Sequence, residues 1–430
     1  MTFVDVLIIG AGSAGLSAAA SLRAAGKTTL VLEASHRTGG RARTSRPDVL
    51  GGAWLDEGAA WLHMAEENPL VHLAQARGVP LREAFGNPSR MFLGGREASP
   101  DDHAAYEAAE SAWFARVFAH PKTPDVSLAE AIGPFRWDNP FAPTIETWEA
   151  SLIEAADATA LSLADFCLNQ ISGTNLMAPD GLGQLLLDML LVSAGDIRLN
   201  CPATRIDWDG PGVRIETPQG VVTAGAVIVT VSVGVLAAGH IGFAPALPPR
   251  TAQAIADLPM GLLSKVILRA TDGDRLGMAG PTQLFRCIEK PGDPFLSFIA
   301  WPRDTDHVIG FMGGQTAWDL AYDPAAALDF ARAVWRDMLG SDADRIFAQG
   351  GIATGWGTDP HHLGAYTYAR PGATTARAAL AEPLAGGRLI FAGEACRTDG
   401  MAGTVGGAIL DGRRAASIIL NGRDGDMTSE

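Results

Sequence analysis

Apolar residues fill nearly every position from Phe3 to Ile9, with Asp5 the exception, and the run ends at Gly10-Ala11-Gly12-Ser13-Ala14-Gly15. An alanine-rich stretch to Ala25 follows, then a second apolar run, Thr28-Thr29-Leu30-Val31-Leu32, which stops at Glu33. A strand without polar alternation is one covered on both faces, so this order predicts strand, glycine turn, helix and parallel strand. Residues 101–119 and 127–161 read as helical, and a helix around Gly181-Leu182-Gly183-Gln184-Leu185-Leu186 leads to Ile197-Arg198-Leu199-Asn200. Strand patterns then dominate: Thr204 to Trp208, a Gly-Pro-Gly turn, Val213 to Thr217 and Val221 to Val231. Near the end Arg388 to Ala392 reads as a strand, and Thr404 opens a helix that runs to about Leu420. The class is α/β.

The first turn carries chemistry. Gly10 permits the tight turn, Gly12 admits a pyrophosphate to the backbone, and Gly15 lets the helix pack closely on its strand. The helix start at Ser13 and Ala14 then faces the phosphates, and Glu33, followed by Ala34, is placed to accept hydrogen bonds from a ribose. After a short loop comes Thr38-Gly39-Gly40-Arg41-Ala42-Arg43-Thr44. Paired glycines beside a planar guanidinium suit a second approach to the pyrophosphate, the alternative being a solvated basic loop. Here the sequence resembles the flavin-containing amine oxidase family, whose members carry a G-G-R motif after the ribose acid. The resemblance implies FAD, and a Rossmann-like FAD-binding domain with an inserted α+β substrate domain.

The other end of the chain is in the same register. Phe391-Ala392-Gly393-Glu394 and Gly403-Thr404-Val405-Gly406-Gly407-Ala408 match family segments that meet the flavin. Glu394, Gly403, Thr404, Val405 and Ala408 are thereby implied as cofactor contacts, with the helix start aimed at the flavin's pyrimidine ring. The strand meander before Val231 resembles the middle of the family's FAD domain, where Ala203 presents its backbone to the adenine. FAD-binding segments are expected at 1–75, 196–249 and 386–430, and a substrate-binding domain at 76–195 and 250–385. The 181–183 glycines lack a third glycine and a preceding strand, so a second dinucleotide site for NAD(P)H is not expected.

Composition narrows the partners. A net charge of −15 over 430 residues argues against nucleic acid. Cys167, Cys201, Cys287 and Cys396 are scattered without C-x-x-C spacing, so neither zinc nor a disulfide framework is implied. The first strand leaves no room for a signal peptide, and there is no run of some twenty apolar residues. The mitochondrial members of the family carry a C-terminal anchor, whereas this chain ends Asp424-Gly425-Asp426-Met427-Thr428-Ser429-Glu430. A cytoplasmic protein without membrane attachment is expected, with a homodimer as the candidate assembly.

Lys265 interrupts the apolar strand pattern Gly261 to Arg269. Such an ammonium either points outward or is buried for a purpose. The family's K-V motif implies the second, placing Lys265 beside flavin N5 through a water. The spacing from Trp356 to Ala365 and Tyr366 matches a flavin-packing tryptophan and a cage tyrosine; Ala365 stands where monoamine oxidases bond cysteine to the flavin, implying non-covalent FAD. The opposite cage position falls on Met401, a substrate-pocket candidate without an aromatic face. Gly58-Ala59-Ala60-Trp61-Leu62-His63, with Asn68-Pro69, resembles the segment of polyamine oxidases that passes the flavin and offers His63 to the substrate. The implied activity is hydride transfer from a small-molecule amine to the flavin, with O2 as final acceptor. An L-amino acid oxidase (Arg286 being a candidate for its carboxylate), a desaturase and a non-catalytic flavin-stabilised interaction protein stand as alternatives.

Overall fold

The computed structural model describes residues 2–84, 88–271, 275–341, 343–347 and 350–422. Strand β1 (Thr2–Ile9), helix α1 (Ser13–Ala24) and strand β2 (Thr29–Leu32) form the expected βαβ unit. Alternation along β1 decides its packing. Val4, Leu7 and Ile9 enter one core with Leu30, Leu32, Val227 and Val229, while Val6 and Ile8 enter another with Leu16 and Leu22 of α1. Both faces are covered, which is why the run lacks polar alternation; each such burial stabilises by roughly 2 kcal/mol relative to exposure.

The eight-stranded first sheet runs Ile197–Arg198, β2, β1 and β3 (Gly220–Val229) in parallel. The far half of β3 pairs in parallel with Leu389–Phe391 and its near half pairs antiparallel with Val213–Thr217. Helix α2 (Val405–Gly422) lies against α1, so the two ends of the chain close on one another. Their approach is backbone-close: a Cβ on Gly412 would sit 2.2 Å from the Ala14 carbonyl oxygen, and within the first turn one on Gly15 would sit 2.0 Å from that of Gly10, so α1 packs tightly on its own strand. The helix Leu182–Ala194 also packs on α1 in this core. Its glycines serve contact, since a Cβ on Gly183 would lie 2.5 Å from the Thr44 amide.

A seven-stranded second sheet joins strands from residues 89–97 and 263–353, in the order Ile352–Ala353, Leu263–Arg269, His307–Gly313, Ser297–Ala300, Thr282–Arg286, Ser89–Leu93 and Arg96–Glu97. Val266 and Leu268 face a core holding Trp301 and Trp335, whereas Leu263 and Lys265 face a cavity. Helix Pro100–Ala119 forms as expected and starts at a capping box between Ser99 and Asp102. The helical expectation for 127–161 is corrected. The segment breaks into Leu128–Ile132, Phe135–Asp138, Ala142–Glu146 and a π-helical turn, Thr147–Ile153. Gly133-Pro134, Asn139-Pro140 and Pro143 interrupt the backbone ladder there. Residues 423–430, which bear on the expected end without an anchor, lie outside the described residues. Among the described residues no helix is long and apolar enough to cross a membrane.

Gly412→Ala is expected to destabilise by about 1–3 kcal/mol, read as a lower denaturant midpoint at unchanged slope. Gly280→Ala, at an open position, should stay within about 0.5 kcal/mol of the parent.

Candidate functional site

One cavity of about 700 Å³ runs from the carboxyl ends of β1, β2 and β3 to the inner face of the second sheet. At its first end Gly10, Gly12, Ser13, Ala14, Glu33, Ala34, Gly39, Gly40, Arg41 and Ala203 line the wall. Helix α1 begins there with no side-chain cap and no acid in its first turn, so its N–H groups and dipole are available to an anion. Gly12 and Gly40 face each other across this end: a Cβ on Gly40 would stand 3.3 Å from the Gly12 Cα. Glu33 is fixed by the Ala11 and Ser35 amides, which donate to its two oxygens at 2.7 and 2.8 Å. Each oxygen keeps acceptor capacity for a hydroxyl. Uncapped helix start, bare glycine walls and an oriented acid fit the diphosphate and ribose of a dinucleotide. Gly15 stands behind the wall and sets the packing.

The cavity's far part is built on Lys265. Its residue is 4 % exposed, and Nζ donates to the carbonyls of Asp56 and Gly58, both at 2.6 Å. Burial pushes the ammonium down to about 8, against the opposing pull of Asp56 and Glu57. Two of its three donors are thus used, and the third is available to the cavity that Lys265 lines. The same loop is held by Trp356, whose Nε1 donates to the Glu57 carbonyl at 3.0 Å. Ala60, Trp61 and His63 continue the wall. His63 Nδ1 lies 2.7 Å from Asn175 Oδ1, which assigns the proton to Nδ1, and burial lowers the ring's pKa. His63 is therefore a neutral ring.

Tyr366 faces the cavity in the short strand Tyr366–Thr367, its ring against Gly403. The hydroxyl donates to the Ile153 carbonyl at 2.8 Å, and burial raises its pKa. Gly393, Glu394, Gly403, Thr404, Val405 and Ala408 line the neighbouring wall, as the C-terminal motifs predict. Met401 is the correction. It is 1 % exposed, its methyl lies toward Gly406, and Ala402 and Gly403 face the cavity in its place. The Thr404 hydroxyl donates to the Met401 carbonyl at 2.8 Å, which turns this backbone so that residue 401 packs inward.

Four residues carry the site without having been legible as site residues. Asp165 and Arg377 form a buried bidentate pair at 2.7 and 2.7 Å. Arg377 also donates to the Thr367 hydroxyl, which donates to Glu394 at 2.7 Å, and Glu394 in turn accepts from Arg41 at 3.0 Å. Arg41 Nη1 further donates to the Ala365 carbonyl at 2.7 Å, so one guanidinium nitrogen is shared between two acceptors beside the cavity. Asp56 accepts from the Leu182 amide, and Asp411, wholly buried within α2, accepts from the Gly393 amide at 2.9 Å. The available signal was an acid inside an otherwise apolar helix, as at Asp165 in Leu163–Leu168.

Breaking the Asp165–Arg377 pair with Arg377→Met leaves a buried carboxylate and should cost about 3–5 kcal/mol in chemical denaturation. Lys265 gives a pH signature. Its depressed pKa means the unfolded chain binds more protons between about 8 and 10.5. The stability of the parent relative to Lys265→Met should therefore rise across that interval and be lowest, and flat, below it. A difference independent of pH would contradict the burial of the ammonium.

The chain is also similar to known proteins. Residues 13–420 match the family described as flavin containing amine oxidoreductase. Polyamine oxidase 4 of Oryza sativa subsp. japonica is 30% identical, with 96% of this chain and 88% of that protein covered. Lysine-specific histone demethylase 1 homolog 2 of the same rice is 29% identical over 99% of this chain, which spans 58% of that longer protein. Wild-type putrescine oxidase bound to putrescine shares the fold, with a TM-score of 0.79 at 22% identity over 98% of this chain and 99% of that structure. A dinucleotide cradle joined to an aromatic cavity, and a family match running almost from end to end, place this chain in the flavin-containing amine oxidoreductase family, with FAD as its cofactor.

Proposed function

We propose that the chain oxidises a small aliphatic amine, with dioxygen as the final acceptor, and that it holds FAD without a covalent bond. The flavin, when bound, supplies the acceptor for a hydride from the carbon next to nitrogen; the imine left behind hydrolyses to a carbonyl compound, and dioxygen leaves as hydrogen peroxide. Gly10, Gly12, Gly39 and Gly40 hold the diphosphate, Glu33 the ribose, and the start of α2 the electron-rich edge of the ring. Trp356 and Tyr366 supply aromatic surface; the hydroxyl of Tyr366, tied to a carbonyl, holds its ring in place. Lys265 keeps its free donor for a water beside the reacting atoms. His63, neutral, presents an acceptor to the substrate side.

One observation carries the choice of amine over amino acid. Recognition of a carboxylate needs an arginine with donors to spare. Among the described residues two arginines line the cavity: Arg377 spends its donors on Asp165, Thr367 and the Ala395 carbonyl, and Arg41, on the wall of the diphosphate end, gives Nη1 to Glu394 and the Ala365 carbonyl. Arg286 is not among the lining residues and lies 3.9 Å from Asp337. The cavity's end near Tyr366 instead shows a carboxyl, Glu154.

Mixing the yellow holoprotein anaerobically with a panel of aliphatic amines should bleach it, and amino acids should not. Precipitating the protein should release all the FAD to solution, since Ala365 offers no sulfur. Lys265→Met should still bleach but regain colour in air roughly tenfold slower or more. A parent that no amine bleaches would end this reading; a variant that recolours at the parental rate would end the role of Lys265.

A further inference from the structure

Asp56 is 6 % exposed in the short strand Leu55–Asp56, and its two carboxylate oxygens do different things. Oδ1 carries the structural bonds. It accepts from the Thr44 hydroxyl and from the Leu182 amide, joining the strand pair at residues 44–45 and 55–56 to the helix Leu182–Ala194. Oδ2 is buried and has no hydrogen-bond partner among the described residues. Arg303 Nη2 lies 3.6 Å from it, but that guanidinium already donates to the carbonyls of Ala178 and Pro179. An amide in place of the carboxylate would keep both bonds of Oδ1. The second oxygen and the charge are therefore more than the fold requires, and burying them is costly.

We propose that Asp56 is a positioning residue for Lys265, its carboxylate holding the neighbouring amine as an ammonium at the cavity wall through the neutral range. The consequence for reoxidation rests on the role given to Lys265 above. Lys265 Nζ donates to the backbone carbonyl of Asp56 itself at 2.6 Å, so the charge belongs to the residue that the ammonium touches. Asp56 and Glu57 favour the protonated lysine and Arg303 opposes it. Asp56 exerts the larger of the two pulls, and Glu57 is paired with Arg43 at 3.2 Å. The rings of Trp61 and Phe311, 5.9 and 5.6 Å from Nζ, favour the charged form as well. Against all of these stands burial, which brings the ammonium down to about 8. Lys265, Arg303 and the bonds of Oδ1 in turn favour ionised Asp56 against its own burial. His307, beside Arg303, is pushed down to about 4 by burial and stays neutral here, so it adds no charge. Reoxidation gives the charge its use. Dioxygen takes two electrons and the N5 proton from the reduced flavin and a second proton from solvent, and leaves as hydrogen peroxide. Negative charge builds on oxygen on the way, and an ammonium stabilises it where a neutral amine does not. Asp56 thereby sets the upper pH limit of reoxidation.

Asp56→Asn removes the charge and retains the Oδ1 bonds, so a purely structural role would leave the pH behaviour of Lys265 where it is. Two readouts follow the ammonium. In chemical denaturation across a pH series, each chain is compared with its Lys265→Met counterpart. The interval over which the lysine-bearing chain gains stability should begin about one pH unit or more lower in Asp56→Asn than in the parent. In the second readout the FAD-loaded protein is titrated to the colourless state with dithionite and mixed with air. Recolouring should slow as pH rises, and its midpoint should fall in Asp56→Asn by the same shift. Arg303→Gln, which removes the repelling charge, should move both midpoints upward, and it decides the matter if Asp56→Asn does not fold. Midpoints that Asp56→Asn leaves in place would overturn the assignment, as would recolouring slowed equally at every pH. Midpoints that Arg303→Gln leaves in place or lowers would overturn it too. Dithionite replaces the amine, so the outcome does not depend on whether any amine bleaches the protein. If Lys265→Met recolours at the parental rate, the role of Lys265 in reoxidation ends, and the stability interval alone decides whether Asp56 holds the ammonium.

Discussion

The chain's separated parts are held in register by one buried ion pair, Asp165 with Arg377. A guanidinium and a carboxylate at about one-twentieth exposure each are costly to desolvate, and the cost is offset only when nearly every donor and acceptor is used. Here they are. Arg377 reaches Asp165 twice, Thr367 at both its hydroxyl and its carbonyl, and the carbonyl of Ala395, while Asp165 also takes the amides of Ala369 and the side chain of Asn169. Through Thr367 and Glu394 the chain of bonds reaches Arg41. Residues 41, 165, 367, 377 and 394 can satisfy one another only in a single arrangement, and that arrangement sets Tyr366 and the Gly393–Glu394 turn on the same cavity. Apolar packing alone would tolerate small slips between these segments; this network does not.

The dinucleotide end was legible in the sequence because its determinants are local. The turn from Gly10 to Gly15, the acid at Glu33 and the Gly39-Gly40 pair each act through the backbone of a short segment, so spacing carries the geometry. The C-terminal strand and helix were legible for the same reason. What sequence could not show is what depends on a partner far along the chain. Lys265 interrupts an apolar strand, and nothing in its neighbours says whether the ammonium faces water or the carbonyls of Asp56 and Gly58. Met401 occupies the position expected to face the cavity, yet the bond from Thr404 to its carbonyl turns it inward. The 127–161 region reads as helix by composition, but its prolines and glycines break it into short pieces, and the resulting π-helical turn is what brings Glu154 to the wall. Asp165 gave one local sign, an acid inside the apolar helix Leu163–Leu168, and nothing that named Arg377 as its partner.

Holding Lys265 and Glu154 in one cavity creates a polarity that the fold maintains at a cost. Each is moved by burial toward its neutral form, the lysine down to about 8 and the glutamic acid up to about 8. The lysine is held by the carbonyls of the 56–58 loop, and the glutamic acid follows the turn that Tyr366 pins. Neither corner would keep its character if the loop or the turn were free to relax. The supporting bonds at Trp356 and Tyr366 therefore matter as much as the two side chains: one fixes the loop to which Lys265 donates, the other the turn that precedes Glu154.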